Sequence, residues 1–234
     1  MGKMKMIFLL FLMVMTVSAM LLLPFPASGN TPEERIDSSI KMLAEMSKQT
    51  DAASMGQYIR EGIGVALYPS VFKTGFGFGT KRGKGLILKR DPAAGKWYGP
   101  SFSDVLGASW GVQFGVQVIS LVLVINNERG MEPFTKGDNV TIGTDLGVAA
   151  GPVGRTAGAA TDIQAKAAIY SYSMSKGIFA GLSLEGATLR IDQNANTAYW
   201  GKATPPKEAL SQEATDERVK PLIEKLEELI KKAE

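Results

Sequence analysis

At 234 residues, 45% hydrophobic and 21% charged, the chain can bury one substantial core and is too apolar to stay disordered. It contains neither cysteine nor histidine. That excludes a disulfide framework, a thiolate nucleophile, cysteine- or histidine-ligated metal and the commonest general base. Any catalysis would fall to carboxylates, lysines, serines or tyrosines.

In chain order, residues 1–29 read as a signal peptide. Lys3 and Lys5 precede the uncharged run "IFLLFLMVMTVSAMLLL", and "PFPASGN" then places Ala27 and Gly29 at −3 and −1 of a cut before Asn30. The run is about 17 residues, the lower limit for a membrane-spanning helix, so an uncleaved N-terminal anchor is the competing reading. Export to the periplasm or cell surface is expected in both cases. No cysteine follows the run to carry a lipid. Without Lys3 and Lys5 the formal charge of +3 falls to about +1. That surplus is too small for a nucleic-acid partner.

"NTPEERIDSSIKMLAEMSKQ" opens with a helix start: Thr31 as N-cap, Pro32 at the first helical position and Glu34 completing a capping box. Ile36, Ile40, Leu43 and Met46 then form one apolar stripe. A second short helix is predicted over "DAASMGQYIREG". Residues 31–61 are net negative, which favours packing on the domain over insertion into an anionic membrane.

From Ile63 to about Trp200 the period changes. "GVALYP", "VFKTGFGFG", "GLILKR", "GASWGVQFGVQV", "SLVLVIN", "VTIGTDLGVAAG", "AAIYSYSM", "GIFAGLSLEG" and "ATLRID" are short β-type runs punctuated by glycine. Strand alternation puts Gly75, Gly77 and Gly79 on one side and Phe76 and Phe78 on the other. Such glycine rows let another backbone come close. Helical pieces are predicted at "NNERGMEPF" and "NANTAYWG". In "VKPLIEKLEELIKKAE", Leu222, Ile223, Leu226, Leu229 and Ile230 share a helical face, with Glu227–Lys231 and Glu228–Lys232 as favourable pairs. That face would dock on the domain or on a second copy. The expected fold class is α+β: a strongly curved, barrel-like antiparallel sheet of short Gly-rich strands with flanking N- and C-terminal helices.

The stretch "KTGFGFGTKRGKG" invites a phosphate-loop reading, which its spacing refuses. Glycines at i, i+2 and i+5 fail at Thr80 or Arg82, and the position five before Gly83 is Phe78. Lys84 is followed by Gly85 rather than by a serine or threonine. Nor does the segment lead into a helix N-terminus.

The motifs "LYPSVFKTGFGFGTKRGKGLILKR", "WYGPSF", "GASWGVQFGVQ", "AAGPVGR", "IYSYSMSKGIFAGLSLEGA" and "NANTAYWG" follow one another as in the SYLF domain, which the chain resembles over residues 35–212. That module binds lipid and actin filaments in endocytic proteins of yeast and animals, and it also occurs in exported bacterial proteins, the branch that the signal peptide suggests. The resemblance implies a non-enzymatic module for acidic phospholipid, with basic residues and an N-terminal amphipathic helix as contacts. Actin binding is not carried over to an exported chain. One departure is Ile119-Ser120, where the family usually has Thr-Asp, so the loop that this aspartate would order must be held otherwise. The domain limits are thus 1–29 signal peptide, 30–212 SYLF-like domain and 213–234 C-terminal amphipathic helix.

The local chemistry fits that implication. Lys73, Lys81, Arg82, Lys84, Lys89 and Arg90 occur with no acid among them. A hairpin tip at "TKRGK" would present Lys81, Arg82 and Lys84 to headgroups, at about 1 kcal/mol each. These six are the candidate lipid-binding residues; the competing role is that of a solvated turn protecting a strand edge. The expected partner is an anionic phospholipid or membrane surface, the alternative being a protein-interaction or structural module of the cell envelope that uses strand edges or the C-terminal helix. No catalytic, metal or cofactor residue is assigned. Asp104, Asp138, Asp145, Asp162, Glu185 and Asp192 have no ligand spacing and read as solvated carboxylates. "SMSK" lacks S-x-x-K spacing. Arg155 reads as a structural partner of a nearby carboxylate.

Overall fold

The computed structural model describes residues 31–49, 52–142, 147–151, 167–175, 178–179 and 186–233; at 75–78, 109–115, 150 and 178–179 it describes the backbone alone. The 1–29 segment lies outside the described residues.

Helix α1 (Pro32–Met46) starts as its sequence dictates. The Thr31 hydroxyl accepts from the Glu34 N–H at 3.1 Å and the Glu34 carboxylate accepts from the Thr31 N–H at 3.1 Å. Helix α2 (Ala52–Glu61) follows, and then two long strands, β1 (Gly64–Asp91) and β2 (Lys96–Ile125). Next come α3 (Glu128–Lys136), β3 (Val140–Thr141), β4 (Val148–Ala150), β5 (Ile169–Ser175), β6 (Ile178–Phe179) and β7 (Ala187–Ile191). Helices α4 (Gln193–Trp200), α5 (Pro206–Ala209) and α6 (Lys220–Lys231) complete the described chain. The α+β expectation holds, with helices at both ends of a curled sheet.

The sheet differs from expectation in how its strands are cut. The runs "GVALYP", "VFKTGFGFG" and "GLILKR" are parts of one strand of 28 residues, paired antiparallel with β2 of 30. Glycines that resemble turns sit instead within the ladder, Gly75, Gly79, Gly83 and Gly85 in regular pairs and Gly77 where the register shifts between Phe76 and Phe78. Five further strands extend the sheet in the order β3-β7-β2-β5-β4, with β1 on β2 and β6 on β5. One pair is parallel, β4 on β5.

Close approach explains the curl. A Cβ on Gly85 would stand 2.1 Å from the Leu67 carbonyl oxygen and 2.4 Å from the Tyr68 ring, and one on Gly83 would stand 3.2 Å from the Ser70 carbonyl oxygen. The Arg90 N–H donates to the Ile63 carbonyl at 2.8 Å. The two halves of β1 therefore meet, which only glycine at these positions allows. The Ser120 hydroxyl donates to the Pro69 carbonyl at 3.0 Å, beside the shift between Tyr68 and Val71. That contact stands where the family's usual aspartate is missing.

Apolar residues fill both faces. On one, Val65, Leu67, Leu86, Leu88, Val122 and Val124 lie beneath α1, α2 and α6. On the other, Ala66, Tyr68, Ile87, Leu121 and Leu123 pack with Met131 and Phe134 of α3. Of the two partners open to the C-terminal helix, its own domain is the one found: Leu222, Leu226, Leu229 and Ile230 are buried against the core. Each such burial contributes about 1.5–3 kcal/mol before chain entropy. Glu228 meets Lys232 at 3.5 Å as expected, but Glu227 instead accepts from the Trp97 indole N–H at 2.6 Å.

Candidate functional site

The expected basic hairpin tip at residues 80–84 is not a tip. Thr80, Lys81, Arg82, Gly83 and Lys84 are ladder partners of Ala108, Gly107, Leu106, Val105 and Asp104. The turn lies further on, where the Asp91 carboxylate accepts from the Ala93 and Ala94 N–H groups (3.0 and 3.1 Å) and Gly95 has φ +66°. "DPAAG" carried that signal: an aspartate able to bond the following backbone, a proline, and a glycine for the left-handed position.

Alternation then separates the six cations. Lys81 is only 5% exposed, on the face that holds the α3 core. Arg90 is also 5% exposed; its guanidinium donates to the Arg60 carbonyl and lies 5.5 Å from the Trp97 ring centre. Burial pulls its pKa below the usual arginine value. Neither can lead a lipid contact. Arg82 is exposed; Lys73, Lys84 and Lys89 are half-buried. Lys89 is seven residues beyond Arg82, about 23 Å along an extended strand. The cations do not form one cluster.

Lys84 belongs to an ionic group that has no local signature in the sequence. The register sets Lys84 on β1 opposite Asp104 on β2, and Asp104 opposite Arg190 on β7. Arg190 approaches Asp104 at 3.6 Å, and Arg35 of α1, buried beside them, reaches Asp104 at 3.5 Å and bonds Asp192, the N-cap of α4. Arg35 also donates to the Gly85 carbonyl at 3.3 Å. Asp104 and Asp192 are thus not solvated loop carboxylates. Burial pushes Asp104 up, with the Asp192 charge adding to it and Arg35 opposing. Burial acts the same way on Asp192, but the Ala195 N–H and Arg35 outweigh it and hold that carboxyl below its ordinary value. Finding this group from sequence would have needed the register of three strands.

Because the two halves of β1 meet, the ribbon doubles back near the register shift between Phe76 and Phe78, and this bend, its far end, is its remaining distinctive surface. Among the described residues, the large apolar side chains most open to solvent are Val116, 61% exposed, and Val118, 45% exposed. Their ladder partners are Thr74 and Phe72, next to Lys73. Elsewhere a cavity of about 370 Å³ is bordered by Asn127, Arg129, Val148, Ala149, Ala167 and Ala168, with no nucleophile or acid among these. Ser171 and Ser173 lie on β5, the former donating to the Ala149 carbonyl at 3.3 Å. Arg155, Asp145, Asp162, Lys176 and Glu185 lie outside the described residues.

Residues 106–229 match the family described as Ysc84, Las17-binding protein actin regulator, a span that runs from the middle of β2 into α6. The chain is 33% identical over 181 residues to the SH3 domain-containing YSC84-like protein 1 of Xenopus laevis, covering 76% of this chain and 53% of that protein. The Bos taurus protein of the same name is 32% identical over 179 residues, covering 76% of this chain and 52% of that protein. LAS seventeen-binding protein 3 of Saccharomyces cerevisiae is 31% identical over 195 residues, covering 80% of this chain and 41% of that protein. The chain spans about half the length of the animal relatives it matches.

These relatives overturn the expected export to the periplasm or cell surface. They are animal and yeast proteins, whose names speak of an SH3 domain and of binding LAS seventeen, not of a bacterial envelope. The ground for setting actin aside falls with it. The SYLF resemblance itself is borne out: the chain belongs to the Ysc84 (SYLF) family.

Proposed function

We propose that this chain is a non-enzymatic binding module that attaches peripherally to acidic membrane surfaces through the far end of its β1–β2 ribbon. The observation that carries this reading is the one-signed charge there. Residues 62–90 contain six cations and no carboxylate, and residues 105–127 contain no charge at all. Arg82 and Lys73 are the accessible cations nearest the ribbon's bend; Lys84 and Arg190, further along, belong to the ionic group around Asp104. Two such charges contribute about 2 kcal/mol near an anionic bilayer. Attachment of that strength is reversible and is weakened by salt.

The test is co-sedimentation with phosphatidylcholine vesicles, with and without phosphatidylserine. Binding to the anionic vesicles at low salt, reduced several-fold in the Lys73→Ala/Arg82→Ala variant, is the expected result. No binding at low salt, or binding indifferent to the double variant, sinks the proposal. A second reading is favoured by the relatives' names: a module for a protein partner of the Las17 and actin machinery. Retention of the chain by actin filaments or by a Las17-type protein, with no affinity for anionic vesicles, would establish it in place of the first.

A further inference from the structure

We infer that the ribbon's end does more than offer charge: Val116 and Val118 form an apolar contact that enters the interfacial layer of an anionic bilayer. This rests on the membrane reading above and concerns the same end of the molecule. On β2, positions 116, 118, 122 and 124 share one face by alternation. Val122 and Val124 are fully buried beneath the helices, whereas Val116 and Val118 stand 61% and 45% exposed. One sheet face thus runs from a helix-covered core to an uncovered apolar end. Single exposed aliphatic residues are ordinary. Here two successive positions on one side of a strand are open together.

Charge decides the occupant. Arg82 lies on this same face, in alternation with Leu86 and Leu88, which are buried under the helices. Lys73, the ladder partner of Gln117, borders the valines from the opposite face. A second copy docking by the same surface would bring cations against cations, and so would a basic peptide. A bilayer with anionic headgroups accepts both parts, cations at the phosphate level and valines just below. The platform is held in place: Gln117, on the opposite side of the strand, donates to the Ser175 hydroxyl of β5 at 3.2 Å.

The experiment uses the chain with vesicles of phosphatidylcholine and phosphatidylserine at low and high salt. Val116→Ser/Val118→Ser is expected to bind about ten-fold more weakly at either salt, keeping its salt dependence. Arg82→Ala is expected to flatten the salt dependence instead. Urea unfolding of each variant at the wild-type midpoint establishes that the fold is intact. A separate variant, Val116→Trp, is expected to shift its added emission to the blue on anionic vesicles alone. If the wild type binds and the double serine variant binds equally, with no shift from Val116→Trp, the inference falls and the charge-based proposal survives. If the wild type does not bind at all, both fall. Concentration-dependent self-association that the serine variant abolishes, without vesicle binding, would assign the surface to a second copy and overturn the inference.

Discussion

The Arg35 guanidinium stands 3.5 Å from the Asp104 carboxylate, joining α1 to β2 with only 1% and 11% of the two side chains exposed. Asp192 bonds the same guanidinium. One buried cation therefore ties together the first helix, the middle of the sheet and the start of α4. Removing it leaves two buried carboxylates short of a partner. Arg35→Met is expected to lose about 3–5 kcal/mol of stability. Urea denaturation measures this; an unchanged midpoint would mean that Arg190 and Lys84 suffice.

The same pair gives a pH signature with opposing signs. Asp192 has its folded pKa below the unfolded value, so the unfolded chain holds more protons between the two, and stability is lost as pH falls through that window. Asp104 has its folded pKa above the unfolded value, so its contribution declines as pH rises from the unfolded value to the folded one. Asp192→Asn should flatten the acid limb of the stability profile. Asp104→Asn should remove the decline on the other side of the ordinary carboxylate value. Unfolding midpoints across the acid range decide both.

Gly85 is required by space rather than by backbone angle. A methyl there would meet the Leu67 carbonyl and the Tyr68 ring well inside van der Waals contact. Gly85→Ala should cost about 2–3 kcal/mol or prevent the two halves of β1 from meeting. Gly147→Ala has nothing within 4 Å of the new methyl and should fall within about 0.5 kcal/mol of wild type. Equal effects would refute close approach as the reason for glycine.

Trp97 and Glu227 secure the C-terminal helix to the ribbon's turn end at 2.6 Å. Glu227→Ala leaves the indole N–H without this acceptor and should cost about 1–3 kcal/mol. Hydrogen exchange should quicken in α6 before it does in β1 or β2. Uniform quickening would show that α6 opens only with the whole domain.

The elements legible in the sequence are those made by neighbours along the chain. Thr31, Pro32 and Glu34 specify the start of α1 whatever it packs against, and Asn127 and Gly137 bracket α3 as N-cap and left-handed C-cap. The cut between strands was not legible, because a glycine paired within a ladder and a glycine in a turn have the same local signature. "TKRGK" therefore resembled a hairpin tip while the true turn, "DPAAG", lay a few residues downstream. The candidate contacts changed with it: a tip would expose Lys81, Arg82 and Lys84 together, but a ladder alternates them between faces.

Sequence alone determined the α+β composition, the helix caps, the glycine-rich β character and the family motifs, because each depends on residues within a few positions of one another. Tertiary structure alone decided which cations reach solvent, that Asp104 meets Arg35 and Arg190, and that Val116 and Val118 stay uncovered. Those outcomes depend on strand register and on where the helices stop, and a shift of one residue would reverse every side chain's face.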